Sequence, residues 1–340
     1  MAGPWFGRLV VALLIGLISV GGCDRQKQGN AQSSDSLKKV RLILNWKAEP
    51  EFGGFYAAKE QGMFAKHGLD VDIMEGGVGT PTIQMLGTGK TEFAIVSADE
   101  LIIARSHGND SLAIFAVYQM DPHAIMVHAS RGFKSMADVF TKGATLGIQR
   151  GYPYALFLEK KYGFQNVRIV PSPGGDLSAF LNDPNFSQQC FVTSEPILAK
   201  RHGGDPVVFP ITEEGYNPYT TVVAVQGDLL RRDPAMVQAM FDACREGWTA
   251  YLADPAPTNQ VIQKLNPSMD PVMLSESAKA QEPLIRGKEA ESTGIGSMTR
   301  QRWQTLANQL LDLKLIDKAP APEECFWDGN AATSQPAGVK

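Results

Sequence analysis

The sequence predicts an α/β protein built from two lobes. Strand and helix patterns alternate from Val40 onward, which is typical of α/β folds with largely parallel sheets. About 290 residues separate a polar N-terminal stretch from Asn330, more than one compact core usually covers. At two points, near residues 118–121 and 219–221, the chain can cross from one lobe to the other and back.

Short apolar runs predict the strands, and helical periodicity predicts the segments between them. Residues 69–73 alternate between apolar and polar side chains, as a half-buried strand does, whereas residues 112–118 are apolar throughout, as in a strand buried on both faces. Strands are predicted at residues 40–44, 69–73, 93–96, 112–118, 124–127, 145–148, 167–170, 190–192 and 221–225. Helices are predicted at residues 49–61, 80–86, 99–105, 154–162, 176–181, 196–201, 234–252 and 299–313.

The N-terminus has the pattern of an export signal. Its apolar run of about 12 residues is shorter than the roughly 20 that span a membrane and ends in small residues, so residues 1–22 are predicted to be a signal peptide. Cys23 follows Val20-Gly21-Gly22 directly, which resembles the lipobox of bacterial lipoproteins. The resemblance implies an exported lipoprotein of the cell envelope, anchored in a membrane at the periplasmic or outer face through acyl chains on Cys23. Residues 23–36 would form the lipidated terminus and a flexible, polar tether; a signal peptide with an unmodified cysteine is the alternative.

Composition and charge argue against several classes of function. The chain has 44% hydrophobic residues and a net charge of −4 without a basic stripe, so nucleic acid is not an expected partner. Cys190, Cys244 and Cys325 lack the paired spacing of zinc sites, and they leave room for one disulfide whose pairing stays open. No metal and no cofactor are expected. Residues 329–340 lack periodicity and are predicted to be a loose tail.

Several sequence blocks recur in a known family. They read LNW at residues 44–46, GGFYAAKEQGMF at 53–64, GLDV at 68–71, GGVG at 76–79, GKTEFAI at 89–95 and ARSHG at 104–108. From about Val40 to Trp327 the chain resembles the NMT1/THI5-like solute-binding proteins of ABC importers. The resemblance implies a type II periplasmic-binding-protein fold, in which two α/β lobes close over a ligand by a hinge motion. It also implies a monomer with a membrane permease as partner, residues 37–120 and 221–328 forming lobe 1 and residues 121–220 forming lobe 2.

The first predicted strand ends at candidate ligand-binding residues, because ligands of open α/β sheets bind beyond the carboxyl ends of strands. Asn45 and Trp46 follow this strand and offer amide groups and a flat stacking face to a heterocycle. Glu49 and Phe52 lie in the next turn. Each has a structural alternative, since Trp46 could plug the lobe and Glu49 could be a helix N-terminal charge.

Two further turns of the first lobe carry candidates. The glycine-rich turn that ends in Gly79 and Thr80 follows a strand and opens a helix, so its amides could reach a polar group. It is not a dinucleotide fingerprint, because Thr82 stands where the third glycine belongs. Ser97 and Asp99 follow the next strand, where a helix cap is the structural alternative.

The second lobe and the two crossings supply aromatic and acidic candidates. They share positions after predicted strands or at the points where the chain changes lobe. These predicted binding residues are Tyr118, Gln119, Tyr152, Tyr154, Glu195, Tyr216 and Tyr219. Buried packing in the hinge is the structural alternative for the tyrosines.

The balance of candidate side chains predicts the ligand class. Aromatic rings and carboxylates outnumber cations, and Arg150 is the one arginine at a strand exit. A planar, uncharged or amine-bearing ring fits this set better than a sulfonate, which would need several cationic donors. We therefore expect a pyrimidine-type thiamine precursor, with a flavin as a second candidate. A receptor for sulfonate, taurine or nitrate, a sensory lipoprotein and a pyrimidine-precursor synthase are the alternatives. Residues 96–100, VSADE, do not match the synthase pattern, and no catalytic residue is assigned.

The lipid anchor is testable through Cys23. Cys23→Ser removes the acylated thiol, so the protein should move from the membrane fraction to the soluble fraction of a bacterial host. Fractionation with immunodetection measures this, and Cys190→Ser serves as the control that leaves the lipobox intact. Membrane recovery of Cys23→Ser equal to that of the parent would contradict the lipoprotein assignment.

Overall fold

The computed structural model describes residues 37–172, 175–287, 290 and 293–329. The candidate signal peptide, Cys23, the tether and nearly all of the tail lie outside the described residues. The strands, in chain order, are β1 (Lys38–Ile43), β2 (Leu69–Met74), β3 (Phe93–Val96), β4 (Ser111–Tyr118), β5 (His123–His128), β6 (Thr145–Gly147), β7 (Arg168–Val170), β8 (Phe186–Phe191), β9 (Pro206–Pro210) and β10 (Thr220–Gln226). They form two five-stranded sheets, which confirms the predicted α/β class.

The first sheet has the order β2-β1-β3-β10-β4, and we call it with its helices the first lobe. Strand β1 pairs in parallel with β2, with Lys38 opposite Leu69, and with β3. Strand β10 runs antiparallel to both of its neighbours, β3 and β4. All eight residues of β4 are buried, because helices cover both faces of the sheet.

The second sheet has the order β7-β6-β8-β5-β9 and forms the second lobe with its helices. Strand β6 lies parallel between β7 and β8, whereas β5 lies antiparallel between β8 and β9. Each sheet therefore contains neighbouring parallel strands and one strand that runs antiparallel to both of its neighbours. This strand is β10 in the first sheet and β5 in the second.

The described helices occupy most of the chain between the strands and after β10. They are α1 (Gly53–Glu60), α2 (Met63–Lys66), α3 (Thr82–Gly87), α4 (Ala98–Ser106), α5 (Met136–Thr141), α6 (Pro153–Tyr162), α7 (Ser178–Asn182), α8 (Glu195–Arg201), α9 (Gly227–Arg232), α10 (Pro234–Ala253), α11 (Ala256–Leu265), α12 (Pro271–Arg286), α13 (Arg300–Asp312) and α14 (Pro322–Cys325). Short 3₁₀ turns cover Pro50–Phe52, Ala129–Arg131 and Ile211–Glu214. No helix among these residues is long and apolar enough to cross a bilayer.

The core of the first lobe forms where α1 packs on α10. Trp248 of α10 is fully buried, and its indole meets the ring of Phe55 edge to face, with 5.7 Å between ring centroids. The two helices approach so closely that a Cβ on Gly247 would lie 2.2 Å from the carbonyl oxygen of Gly54. Glycine is needed here for space, because its backbone lies against another backbone.

The chain changes sheet twice, and the two crossings are tied to each other. Strand β4 ends at Tyr118 in the first sheet and β5 begins at His123 in the second. On the return, the side chain of Asn217 accepts a hydrogen bond of 2.9 Å from the backbone N–H of Asp121. The Thr220 hydroxyl donates to Asp121 Oδ1 at 2.7 Å, so Asp121 joins both crossings.

The return crossing also holds a strained residue. Thr221 has a φ of 54°, in the left-handed region that β-branched residues rarely adopt. It is 2% exposed and lies at the start of β10, so the surrounding packing maintains this conformation.

The close approach of α1 and α10 gives a stability test. Gly247→Ala adds a Cβ where the backbone of α1 already lies, and should lower the free energy of unfolding by about 1–3 kcal/mol. Helix propensity alone predicts the opposite sign, by about 1 kcal/mol. Urea unfolding measures the change. Gly77→Ala, where nothing lies within 4 Å of the added Cβ, is the control; a Gly247→Ala variant as stable as the parent would contradict the packing argument.

Candidate functional site

The end of β1 places Asn45, Trp46 and Glu49 together. Trp46 packs half-buried against the core of the first lobe, and its indole Nε1 donates to Glu49 Oε1 at 3.2 Å. Asn45 Oδ1 is a buried acceptor without a partner among the described residues. This corner therefore combines an aromatic face, a carboxylate in fixed orientation and an amide oxygen that is free to accept a hydrogen bond.

Carboxylates from both lobes interact electrostatically at this corner. Burial, with a smaller contribution from the negative charge of Glu195 in the second lobe, raises the pKa of Glu49 from 4.5 to about 7. Burial also raises the pKa of Glu51 well above its usual range, with added repulsion from Glu49 and Glu195. We call Glu49, Glu51 and Glu195 the acidic triad. No arginine or lysine among the described residues forms an ion pair with it, although the charges of Lys47 and His123 partly oppose the rise at Glu49 and Glu195.

Glu195 is oriented by the backbone of its own lobe. It accepts hydrogen bonds from the N–H of Phe191 at 2.8 Å and of Gly175 at 3.2 Å. Burial raises its pKa, whereas these backbone N–H groups and the charge of His123 oppose the rise. The backbone thus holds the carboxylate at the start of α8, toward the acids of the first lobe.

A second acidic corner lies at the start of α4. Asp99 is 6% exposed and accepts hydrogen bonds from the hydroxyl of Tyr216, at 2.7 Å, and from Ser97. Burial and the charge of Asp99 raise the pKa of the adjacent Glu100 to about 7. Because Asp99 is already bonded, Glu100 is the carboxyl of this corner that remains available to a ligand.

Two tyrosines and a histidine form the second-lobe side of the candidate site. Tyr154 stacks on His123 with 4.5 Å between ring centroids, and its hydroxyl donates to Gln189 Oε1. His123 Nδ1 lies 2.8 Å from Asp121 Oδ1; burial lowers the pKa of His123, but this carboxylate outweighs burial and raises it. Tyr152 is 52% exposed, and the charges of Glu100 and Asp99, across the lobes, raise its pKa in addition to burial. Tyr152 is therefore the exposed ring of this side.

The structure does not bring every predicted site residue to this surface. Phe52, Tyr118 and Tyr219 are buried in the cores, and Gln119 is 3% exposed with its amide donating to the carbonyl oxygen of Ser297 at 3.1 Å. The Tyr118 hydroxyl donates to Gln281 Oε1 at 2.8 Å.

The remaining two predicted residues lie in the glycine-rich turn. Thr80 Oγ1 accepts a hydrogen bond of 2.9 Å from the N–H of Gly77, which closes the turn. Gly79 has a φ of 76°, a left-handed conformation that explains the glycine without a ligand.

Sequence reasoning missed Glu51, Glu100, His123 and Gln189. Glu51 and Glu100 each follow a predicted acid within two residues, so the neighbouring acids were a signal for them. Gln189 lies inside β8, where a polar side chain on a buried strand could have indicated a site. His123 lies next to the predicted strand at residues 124–127, and nothing in the sequence indicates that it stacks on Tyr154. Among the described residues, no group of three or more His, Cys, Asp and Glu could hold a metal ion.

Comparison with known proteins places this arrangement in a family. The sequence profile described as "NMT1/THI5 like" matches residues 49–258. The chain belongs to the NMT1/THI5-like family. The periplasmic aliphatic sulphonate binding protein SsuA of Escherichia coli superposes with a TM-score of 0.66 at 14% identity, over 90% of this chain and 97% of that one. The type II periplasmic-binding fold is thereby confirmed for this member of the NMT1/THI5-like family.

Three curated relatives have related sequences. The formylaminopyrimidine-binding protein of Halalkalibacterium halodurans is 25% identical over 93% of this chain and 97% of its own length. The riboflavin-binding protein RibY of Chloroflexus aurantiacus is 23% identical over 81% of this chain and 80% of its own length. A 4-amino-5-hydroxymethyl-2-methylpyrimidine phosphate synthase of Saccharomyces cerevisiae, THI11, is 23% identical over 65% of this chain and 69% of its own length. Two of these three names contain a pyrimidine.

The raised pKa of Glu49 predicts how stability depends on pH. Its folded-state value of about 7 exceeds the ordinary 4.5, so the folded protein binds more protons than the unfolded chain between these pH values. The free energy of unfolding should therefore fall as pH rises from about 5 to 8. Glu49→Gln should reduce this fall by about 1–2 kcal/mol in urea unfolding at both pH values.

Glu246→Gln is the matched control for this measurement. Hydrogen bonds from Lys66 and His67 lower the pKa of Glu246, so its contribution to stability is lost only as pH falls through the acid range. The free energy of unfolding of Glu246→Gln should fall between pH 5 and 8 by as much as that of the parent. A Glu49→Gln variant with the full pH dependence of the parent would show that Glu49 does not titrate in this window.

Proposed function

We propose that this protein captures an amine-bearing planar heterocycle of the aminopyrimidine type between its lobes. The acidic triad carries the proposal, because Glu49 and Glu51 of the first lobe interact electrostatically with Glu195 of the second, and no arginine or lysine among the described residues forms an ion pair with them. The amino groups of a ligand would donate hydrogen bonds to these carboxyls. Binding would then stabilise the closed arrangement of the lobes.

The protonation of the triad suits an aminopyrimidine edge. A carboxyl with a pKa of about 7 can carry its proton and donate to a ring nitrogen, while its other oxygen accepts from the exocyclic amine. A sulfonate or nitrate would instead need cationic donors, which the triad does not supply. The pyrimidine in the names of two relatives supports the same ligand class.

Aromatic surface on both sides supports a planar ligand. Trp46 lies at the first-lobe corner with the triad, and Tyr152 is the exposed ring of the second lobe. Stacking of a ligand ring on either side chain contributes about 0.5–1.5 kcal/mol of binding free energy beyond that from the buried area. A flavin is the second candidate, favoured by the riboflavin-binding relative and by the same aromatic faces.

We infer that the protein delivers this ligand to an ABC permease from the cell envelope. The family match and the relatives named as binding proteins support capture rather than catalysis. The lipobox-like segment that ends at Cys23 supports a membrane anchor. Turnover is the alternative function, because one relative is a pyrimidine synthase.

A thermal-shift titration of the purified protein tests the ligand class. The panel holds 4-amino-5-hydroxymethyl-2-methylpyrimidine, its formylated 5-aminomethyl analogue, riboflavin, taurine and nitrate. An aminopyrimidine should raise the melting temperature by mass action, and the compound recovered after denaturation should be unchanged. A rise with taurine or nitrate alone would contradict the proposed ligand, and recovery of a converted compound would favour the synthase.

Trp46→Ala supplies the matched test of the site. Loss of the stacking face and of the bond that orients Glu49 should weaken aminopyrimidine affinity roughly tenfold, with the fold retained. Leu311→Ala, an exposed apolar residue at the end of α13, is the control. Equal melting shifts in Trp46→Ala and the control would remove Trp46 from the site.

A further inference from the structure

Helix α8 touches both the proposed site and the opposite lobe. At its first residue, Glu195 is held by the N–H groups of Phe191 and Gly175 and belongs to the acidic triad. Along its middle, Ile197 and Leu198 pack half-buried against the core cluster of the first lobe. At seven residues, the helix spans roughly 10 Å, so its two ends cannot move independently.

The last residue of α8 makes a bidentate ion pair with the first lobe. Arg201 Nη1 donates to Asp270 Oδ1 at 2.9 Å, and Nη2 lies 2.7 Å from Oδ2. Asp270 is the N-cap of α12 and also accepts from the N–H of Val272 and Met273. Helix α12 in turn contacts β4 of the first sheet. The Arg201 guanidinium therefore binds the Asp270 carboxylate, which is already held in the first lobe by the backbone of α12.

Both charged ends of α8 interact with the first lobe. The charge of Glu195 raises the pKa of Glu49, and the pair between Arg201 and Asp270 favours closure. Arg201 and Asp270 are 31% and 50% exposed in their side chains, so water and salt screen the pair and keep it modest. A modest pair is one that lobe motion can break and re-form.

We propose that α8 links ligand engagement at Glu195 to lobe closure, with Arg201 and Asp270 as a latch that favours the closed state. The link to a ligand rests on the proposed function. The latch itself rests on the contacts of α8 alone. A ligand that joins Glu195 to the first lobe holds one end of the helix while the latch holds the other, and the lobes stay closed longer.

Small-angle scattering of the purified full chain without ligand tests the latch. Arg201→Gln and Asp270→Asn should each increase the radius of gyration, and the double variant should increase it no further, because both changes remove one pair. Asparagine at position 270 keeps an N-cap acceptor, so α12 is preserved. Arg232→Gln breaks an exposed pair with Asp228 within α9 and should leave the radius unchanged. Equal radii in the parent, Arg201→Gln and Asp270→Asn would overturn the latch, as would additive increases.

Binding kinetics test the link to the ligand. With 4-amino-5-hydroxymethyl-2-methylpyrimidine as the probe, Arg201→Gln should dissociate about two- to fivefold faster, with little change in the association rate. Dissociation as slow as in the parent would overturn the link. If the parent does not bind the probe at all, the proposed ligand fails, while the scattering experiment still decides the latch.

Discussion

Asp121 is the connection on which the two-lobe arrangement depends. On the outgoing crossing its carboxylate is bonded to His123; from the return crossing the Thr220 hydroxyl donates to the same carboxylate, and Asn217 Oδ1 accepts from the backbone N–H of Asp121. Arg302 of α13 donates to the backbone of Asn217 and Pro218, so a helix far along the chain supports the same point. Two short segments therefore carry the chain between the two sheets, and side chains from both segments and from α13 hold them together.

Buried acids on both sides of the lobe junction are the main electrostatic feature of this protein. Folding has placed carboxyls where burial raises their pKa. Perturbed pKa values of this kind cluster at functional sites in proteins. The backbone N–H groups on Glu195 and the indole on Glu49 fix the orientation of these two carboxyls.

Much of the fold follows from sequence, and the exceptions have physical causes. Nine strands were predicted near their observed places, because apolar runs and alternation are strong local signals. Strand β9 was missed, since Pro206 and Pro210 flank only three apolar residues. Position after a strand suggested Trp46, Glu49 and Glu195 as site residues, which stays a prediction, but could not tell Tyr152, which is exposed, from Tyr118, which packing buries. Burial of a given side chain depends on helices that come later in the chain, such as α12 with its Gln281.

The position of β10 has a consequence for biogenesis. This strand sits between β3 and β4, yet it follows the entire second sheet in the chain. During synthesis from the N-terminus, the first sheet lacks an interior strand until residue 226 has been made, whereas β5 to β9 are contiguous and can pair earlier. Edges of β3 and β4 stay open for that interval, exposing backbone groups and apolar side chains to aggregation. A chain of this topology gains from a chaperone that keeps it extended until its last sheet partner has been made.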